Sequence, residues 1–142
     1  MSQRANQQWQ PIERLSLVTF QIETLLQAAN EQRASLQEAK AHRSLVDDST
    51  LGRVITVFTA QKKDLWLFEE QLQRWRAEDL TMIQRAEIER LTRQMRNLHE
   101  GINAVLVLAD ELKEDTIEKV LQKGDAKRSL EMLIQLWKQE QK

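Results

Sequence analysis

The chain contains no cysteine, no tyrosine, only one proline and only three glycines among its 142 residues. Without cysteine, disulfides, thiolate zinc sites, iron–sulfur clusters and cysteine nucleophiles are excluded. Because turns depend on proline and glycine, their scarcity predicts few turns and long secondary-structure elements. The abundant residues, Leu, Gln, Glu, Arg and Ala, lose little side-chain freedom in a helix, so the composition indicates an all-α fold.

Long apolar runs are absent as well. The longest, AVLVLA at 104–109, has six residues, whereas a membrane-spanning helix needs roughly 20. The first stretch, MSQRANQQWQP, has no apolar core segment, so we expect no signal peptide, no membrane partner and a cytoplasmic location. The net charge of -1 provides no overall attraction to nucleic acid. The length and the 41% hydrophobic content suit a single domain.

Apolar residues repeat at alternating steps of three and four, which is the spacing of one helix face. A first helix is predicted over 11–45 and a second over 49–77, separated by VDDST at 46–50, whose side chains favour turns and caps. The first stripe consists of Leu15, Val18, Ile22, Leu25, Ala29, Leu36 and Ala39, and the second of Leu51, Val54, Phe58, Leu65, Phe68, Leu72 and Trp75.

A third helix has the most regular stripe, which is typical of a coiled-coil-like seam. Thr81, followed three residues later by Gln84, matches a capping box and predicts a helix start near residue 80. The alternative is one continuous helix across 77–81, because no glycine or proline lies there. The stripe consists of Ile88, Leu91, Met95, Leu98, Ile102, Val105, Ala109 and Leu112.

Gly124-Asp125 predicts a break between two shorter helices at about 116–123 and 126–139. Short connections make neighbouring helices antiparallel. The sequence therefore predicts one all-α domain with three parts: a flexible tail at 1–10, an elongated antiparallel three-helix bundle with coiled-coil-like seams at 11–114, and a C-terminal helical hairpin at 115–142 that packs on the bundle. The hairpin's apolar face consists of Ile117, Val120, Leu121, Leu130, Leu133, Ile134 and Trp137.

The triplet His99-Glu100-Gly101 is interpreted as structural. If Ile88 opens a heptad, His99 flanks the seam and Glu100 faces water. One turn later, 104–108 is apolar on all sides and needs a cover on all sides. Gly101 therefore marks a level at which another backbone comes close, and we expect the C-terminal hairpin to cover 104–108. The alternatives are His99 as a ligand or catalyst and His99 as a hydrogen-bonded surface residue.

Residue patterns for metal binding or catalysis are missing. Neither histidine follows a glutamate by three residues, as di-iron bundles require, and Asn103 stands where the HExxH pattern needs its second histidine. The glycines are isolated, so there is no glycine-rich phosphate loop. We expect no enzyme, no metal, no cofactor and no small-molecule partner. Gln32, Arg43 and Gln61 on the apolar stripes leave open a small-molecule pocket, although polar seam residues commonly set register.

Opposite charges gather at the two ends of the third helix. Arg85, Arg93 and Arg96 belong to a basic half that matches the pattern of a nucleic-acid footprint. The competing interpretations are an acidic protein partner and a solvated face on which Arg85, Glu89 and Arg93 form ion pairs at steps of four. The far end suits a basic partner or the basic half of a second copy, and it carries Glu100, Asp110, Glu111 and Glu114.

Four large apolar residues fall on outer helix positions, namely Trp66, Leu67, Leu17 and Phe20. Such a surface is typical of a protein contact. Three covers remain open: a second copy in a homodimer, a terminus such as the tail with Trp9, or a different protein. The sequence thus predicts a non-enzymatic helical-bundle interaction module acting through these residues. The alternative is a small accessory protein for nucleic-acid machinery that uses the three arginines.

Overall fold

The computed structural model describes residues 8–42, 46–122 and 126–140, and the side chains of 115–122, 126–130 and 140 lie outside the description. A short 3-10 turn, Ile12–Arg14, precedes α1 (Leu15–Ala41), which is followed by α2 (Asp48–Arg76), α3 (Met82–Gln122) and α4 (Ala126–Glu140). No described residue lies in a strand, so the all-α prediction is confirmed. Arg43, residues 1–7 of the predicted tail and the break at Gly124-Asp125 lie outside the described residues.

The side chains that join α1 to α3 show that these two helices run in the same direction. The Thr19 hydroxyl donates to Oε2 of Glu87 at 2.8 Å near the start of both helices. Near the other end, Nζ of Lys40 donates to Oε2 of Glu111 at 3.3 Å.

In contrast, α2 is antiparallel to α3. Nη2 of Arg76, at the end of α2, donates to Oγ1 of Thr92 at 2.9 Å. Glu69, earlier in α2, meets His99, which comes later in α3. The three helices therefore alternate in direction, and the predicted antiparallel bundle is confirmed.

α3 lies at the centre of this bundle, because both α1 and α2 pack along it. All eight stripe residues predicted for α3 are buried. The stripes of α1 and α2 are also buried, except that Leu15, Leu25 and Phe68 are half-buried and pack against the same core. One continuous core therefore forms because the apolar spacing of each helix keeps its stripe pointed at its neighbours.

Two cap motifs set the helix starts. The Asp47 carboxylate accepts the backbone N–H of Thr50 at 2.7 Å, which holds the pKa of Asp47 below its ordinary value. The backbone N–H of Thr81 donates to the Gln84 side chain at 3.0 Å, and the N–H of Gln84 donates back to Oγ1 of Thr81 at 3.1 Å. This capping box confirms the predicted break between α2 and α3 and rules out one continuous helix there.

The predicted separate helix at 116–123 is wrong, because α3 continues without interruption to Gln122. No glycine or proline lies between Gly101 and Gly124. Asp115 and Glu118, which suit a cap, are also tolerated inside a helix when nothing forces a turn. The second predicted helix of the hairpin is present as α4, whereas its first helix is the end of α3.

The sequence predicted that the C-terminal hairpin covers 104–108, and in the described residues Val107 of this run is open. Leu106 and Leu108 are half-buried against the core of the bundle, but Val107 between them is 55% exposed. Every described side chain of α4 is exposed too. The bundle therefore partly covers Leu106 and Leu108, because α1 and α2 both pack along the buried stripe of α3.

Gly101 marks a close approach, as predicted, but the neighbour is α1. A Cβ atom added at Gly101 would lie 3.4 Å from Cβ of Ala29 and 3.9 Å from Oδ1 of Asn30. Gly101 and Ala29 are both buried. Two small residues thus allow α1 and α3 to approach each other at the middle of the bundle.

We predict that Gly101→Leu lowers the free energy of unfolding by about 1–3 kcal/mol, because the larger side chain must push α1 away from α3. Gly101→Ala should instead raise it by up to about 1 kcal/mol, since alanine favours a helix and its methyl group meets Ala29 at an ordinary contact distance. Urea unfolding followed by far-UV circular dichroism measures both changes.

Gly52→Ala in α2 is the matched control, because nothing lies within 4 Å of its added methyl group. It should stabilise the protein by helix propensity alone. A Gly101→Leu variant as stable as wild type would show that α1 and α3 are not in close contact at this level.

Candidate interaction surfaces

Trp66 and Leu67, the first two predicted contact residues, are half-buried rather than open. The ring of Trp9 meets the ring of Trp66 edge to face, with 6.3 Å between the ring centroids and 75° between the planes. The guanidinium of Arg74 lies 4.5 Å from the centroid of the Trp9 ring. The chain's own N-terminal segment, one of the three covers that the sequence left open, therefore contacts Trp66.

This segment is held by two side chains of α2, which bind the backbone of Gln10. The N–H of Gln10 donates to Oε1 of Gln71 at 2.7 Å, and Nε2 of Gln71 donates to the Gln10 carbonyl at 3.3 Å. Nε1 of Trp75 donates to the same carbonyl at 2.8 Å. We call Trp9, Gln10 and their α2 partners the N-terminal clasp. Trp9 and Gln10, assigned from sequence to a flexible tail, are thus held on α2.

The clasp satisfies polar groups that would otherwise be buried without partners. Gln71 is only 5% exposed, and Trp75 is completely buried. A buried amide and a buried indole N–H each need a hydrogen-bond partner. The sequence contains one sign of this arrangement: Trp75 lies on an apolar stripe, so its buried indole N–H needs a hydrogen-bond acceptor. Its identity could not be predicted, because the partner is a backbone carbonyl.

Leu17 and Phe20, the other two predicted contact residues, remain exposed on α1, Phe20 by 67%. They lie beside Thr19, which contacts the start of α3. Trp66 instead lies near the level of Ala29, which approaches Gly101. The separation is roughly ten residues, or about 15 Å along the bundle. The four predicted residues therefore form two surfaces, one covered by the clasp and one open.

An apolar groove lies between the first turns of α1 and α3, and the sequence reading missed it. Its volume is about 790 Å³, and its apolar lining includes Ile12, Leu15 and Ile83. Met82 at the same end is 89% exposed. Met82 and Ile83 lie within the capping box, between Thr81 and Gln84, and no role in a contact surface was predicted for them from the sequence. Their exposure could be predicted only after the direction of α1 was known.

α4 displays the largest group of exposed apolar side chains in one element. They are between 47% and 60% exposed. The sequence predicted an apolar face on this helix, and the structure leaves about half of each of these side chains exposed. The group consists of Met132, Leu133, Ile134, Leu136 and Trp137.

Arg85, Arg93 and Arg96, the predicted electrostatic contacts, are all exposed. None of them forms an ion pair with another residue of the described ranges. The predicted pairs of Glu89 with its own helix are wrong, because Glu89 lies 3.1 Å from Nε of Arg76 on α2. Packing of α2 against α3 brings Arg76 to Glu89 and leaves the three arginines free to contact a partner.

The neighbouring charges of α3 are used to fasten α1. Nε of Arg90 donates to Oε1 of Glu87 at 2.7 Å, and its Nη2 reaches Oε1 of Glu23 at 2.8 Å. The pKa of Glu87 is lowered chiefly by Arg90, with a further contribution from the Thr19 hydroxyl, although partial burial acts in the opposite direction. The same two glutamates raise the pKa of Arg90. These charged side chains hold α1 against α3, so they are not available to bind a partner.

His99 makes a single hydrogen bond at the edge of the core. Its Nε2 lies 2.7 Å from Oε1 of Glu69 on α2. Among the described side chains, no three histidine, aspartate or glutamate groups converge to hold a metal ion. His99 thus occupies the seam-flanking position predicted for it and joins α2 to α3.

Gln32 and Gln61, the two described polar stripe residues, do not share a pocket. Gln32 lines an open depression between α1 and the start of α2 that does not include Gln61. Oε1 of Gln61 is buried and has no hydrogen-bond partner among the described residues. Arg43, the third residue of that hypothesis, lies outside the described residues.

None of the helices in the described ranges has both the length and the apolar content needed to cross a lipid bilayer. Comparison of the chain with protein-family models, with curated proteins and with solved structures finds no match.

We predict that Gln71→Leu lowers the free energy of unfolding by about 1–3 kcal/mol, because it removes two hydrogen bonds between this side chain and the backbone of Gln10. Trp9→Ala should also destabilise the protein, through the lost contact with Trp66 and Arg74.

The control is Gln73→Leu, an exposed position of the same helix, which should change stability by no more than about 0.5 kcal/mol. Urea unfolding makes the comparison. Equal stability of the two leucine variants would contradict the clasp.

Proposed function

We propose that this protein is a non-enzymatic helical-bundle interaction module that associates with a second copy of itself through apolar side chains outside its core. The observation that carries the proposal is the exposure of five large apolar side chains on α4. Monomeric proteins seldom leave a contiguous apolar surface of this kind in water, because burying it against a partner is favourable by roughly 25 cal/mol per Å² before the cost of association.

The spacing of these residues supports a helix that docks lengthwise on a partner. Leu133, Ile134 and Trp137 are spaced as i, i+1 and i+4, so they lie along one side of α4. An amphipathic helix with such anchors binds apolar grooves on other proteins. The open groove beside Ile83, together with exposed Leu17 and Phe20, offers apolar surface of the matching kind.

The Trp66-Leu67 surface has a smaller part in this proposal than the sequence suggested. The clasp already occupies Trp66, so a partner would have to displace Trp9 and break the hydrogen bonds of Gln10. Leu17 and Phe20 keep the role predicted for them, because both remain exposed in the part of the chain that the structure describes.

The second candidate, an accessory protein for nucleic-acid machinery, is favoured by the three unpaired arginines of α3. Exposed Glu100, Asp110 and Glu114 follow on the same helix, and the net charge of the chain is -1. A polyanion would be repelled by the second half of this helix. Self-association therefore has the stronger support.

We predict that wild type has a solution mass that rises with concentration from the chain mass of 16.7 kDa toward twice that value. The double variant Leu133→Glu, Trp137→Glu should stay at the mass of one chain, because charged side chains resist burial at the contact. Light scattering behind a sizing column measures the masses, and circular dichroism checks that helicity is unchanged.

The matched control adds the same two charges to α4 at polar positions, as Gln135→Glu and Gln139→Glu. It should associate like wild type. A wild-type mass of one chain at every concentration tested would contradict self-association.

A further inference from the structure

One face of α3 carries opposite charges on its two halves. Arg85, Arg93 and Arg96 lie toward its start, and Glu100, Asp110 and Glu114 lie toward its end. All six side chains are exposed. Their spacing by multiples of roughly three and a half residues keeps them on one side of the helix. Val107, which is also exposed, lies on this side between Glu100 and Glu114.

This face lies on the exposed side of α3, away from its buried stripe. Beside this face, Glu87 and Arg90 are paired with α1, and Glu89, which lies on the face between Arg85 and Arg93, is paired with Arg76 of α2. None of the six charges on the face has an ion-pair partner in the described ranges. The bundle thus leaves one strip of unpaired charge whose sign reverses near the middle of α3.

We infer that two copies pair along this strip in antiparallel orientation, so that the basic half of one α3 lies against the acidic half of the other. The inference rests on the proposed self-association and specifies its geometry. A parallel pair would place arginines against arginines and carboxylates against carboxylates, which costs free energy. A strip that reverses sign complements itself only when one copy is turned end to end.

The positions of the charges fix the register. With a two-fold axis at the level of Leu98, Arg96 lies opposite the partner's Glu100. Arg85 then faces the turn that carries the partner's Asp110 and Glu114. The symmetry repeats each pairing on the other side of the axis, so the contact is closed and contains two copies only.

The size of the strip shows that charge cannot act alone. From Arg85 to Glu114 it is about 45 Å long, and a helix is about 10 Å wide, so each copy buries on the order of 450 Å². The total of about 900 Å² falls below the roughly 1,200 Å² of a stable interface. Electrostatic pairing sets orientation and encounter rate, and apolar contact must add the remainder.

The antiparallel register brings that apolar contact into place. It carries the end of the partner's α3, and so its α4, toward the start of this α3, where Met82, Ile83 and the apolar groove lie. Within one chain α4 cannot reach this groove. Residues 93 and 122 are about 45 Å apart along α3, whereas the 15 residues of α4 span about 22 Å. The occupant of the groove is therefore α4 of a second copy.

Charge reversal tests the orientation. The first variant makes the strip acidic throughout, with Arg85→Glu, Arg93→Glu and Arg96→Glu. The second makes it basic throughout, with Glu100→Arg, Asp110→Arg and Glu114→Arg. The matched control, Arg53→Glu, Lys62→Glu and Lys63→Glu, changes net charge as the first variant does, but on exposed positions of α2. Light scattering of nuclease-treated protein gives the dissociation constants.

We expect each strip variant alone to dissociate about 100-fold more readily than wild type. An equimolar mixture of the two should recover the dimer, and the control should behave like wild type. Association of either strip variant at wild-type strength would overturn the inference and leave self-association standing, as would a mixture that stays monomeric. A wild type that is monomeric, or that loses its dimer on nuclease treatment, would overturn both proposals.

Discussion

A single stripe of eight buried side chains on α3 holds both α1 and α2, and the other features of the molecule follow from this arrangement. Because two helices pack on α3, its flanking charges are drawn into pairs across the bundle. The exposed face of α3 that carries Arg85, Arg96 and Glu100 keeps charges without an ion-pair partner in the described ranges. Small residues at Gly101 and Ala29 let α1 come close to the stripe at mid-length. The fold and the free surface are thus two results of one packing constraint.

The periodic stripes and the Thr81–Gln84 cap were predictable from sequence, because burial along a helix depends on spacing and capping depends on neighbouring residues. The end of α3 could not be predicted, because an aspartate such as Asp115 can either cap a new helix or lie within a continuing helix. The Arg76–Glu89 pair was missed because it joins two helices, whereas spacing along the chain reveals only pairs within one helix. The clasp was missed because its acceptor is a backbone carbonyl, which any residue carries.

The proposed contact surfaces differ in what they need before they can bind. Trp66 is covered by the N-terminal clasp, so its exposure would require the clasp to open. The charged strip of α3 and the apolar residues of α4 need no rearrangement of the bundle, because their side chains are already exposed. Charge sets which way two copies meet, and apolar burial sets how long they stay together. Association and folding are therefore separable in this account.

Amide hydrogen exchange followed by mass spectrometry, at one low and one high protein concentration, tests that separation most directly. Residues 88–112 of α3 should already be strongly protected at the low concentration, because one chain completes the core around them. The amides of α4 should gain protection only at the high concentration, where a second copy covers this helix. Loss of protection over 88–112 on dilution would contradict the account, since it would mean that the core itself is completed by another chain.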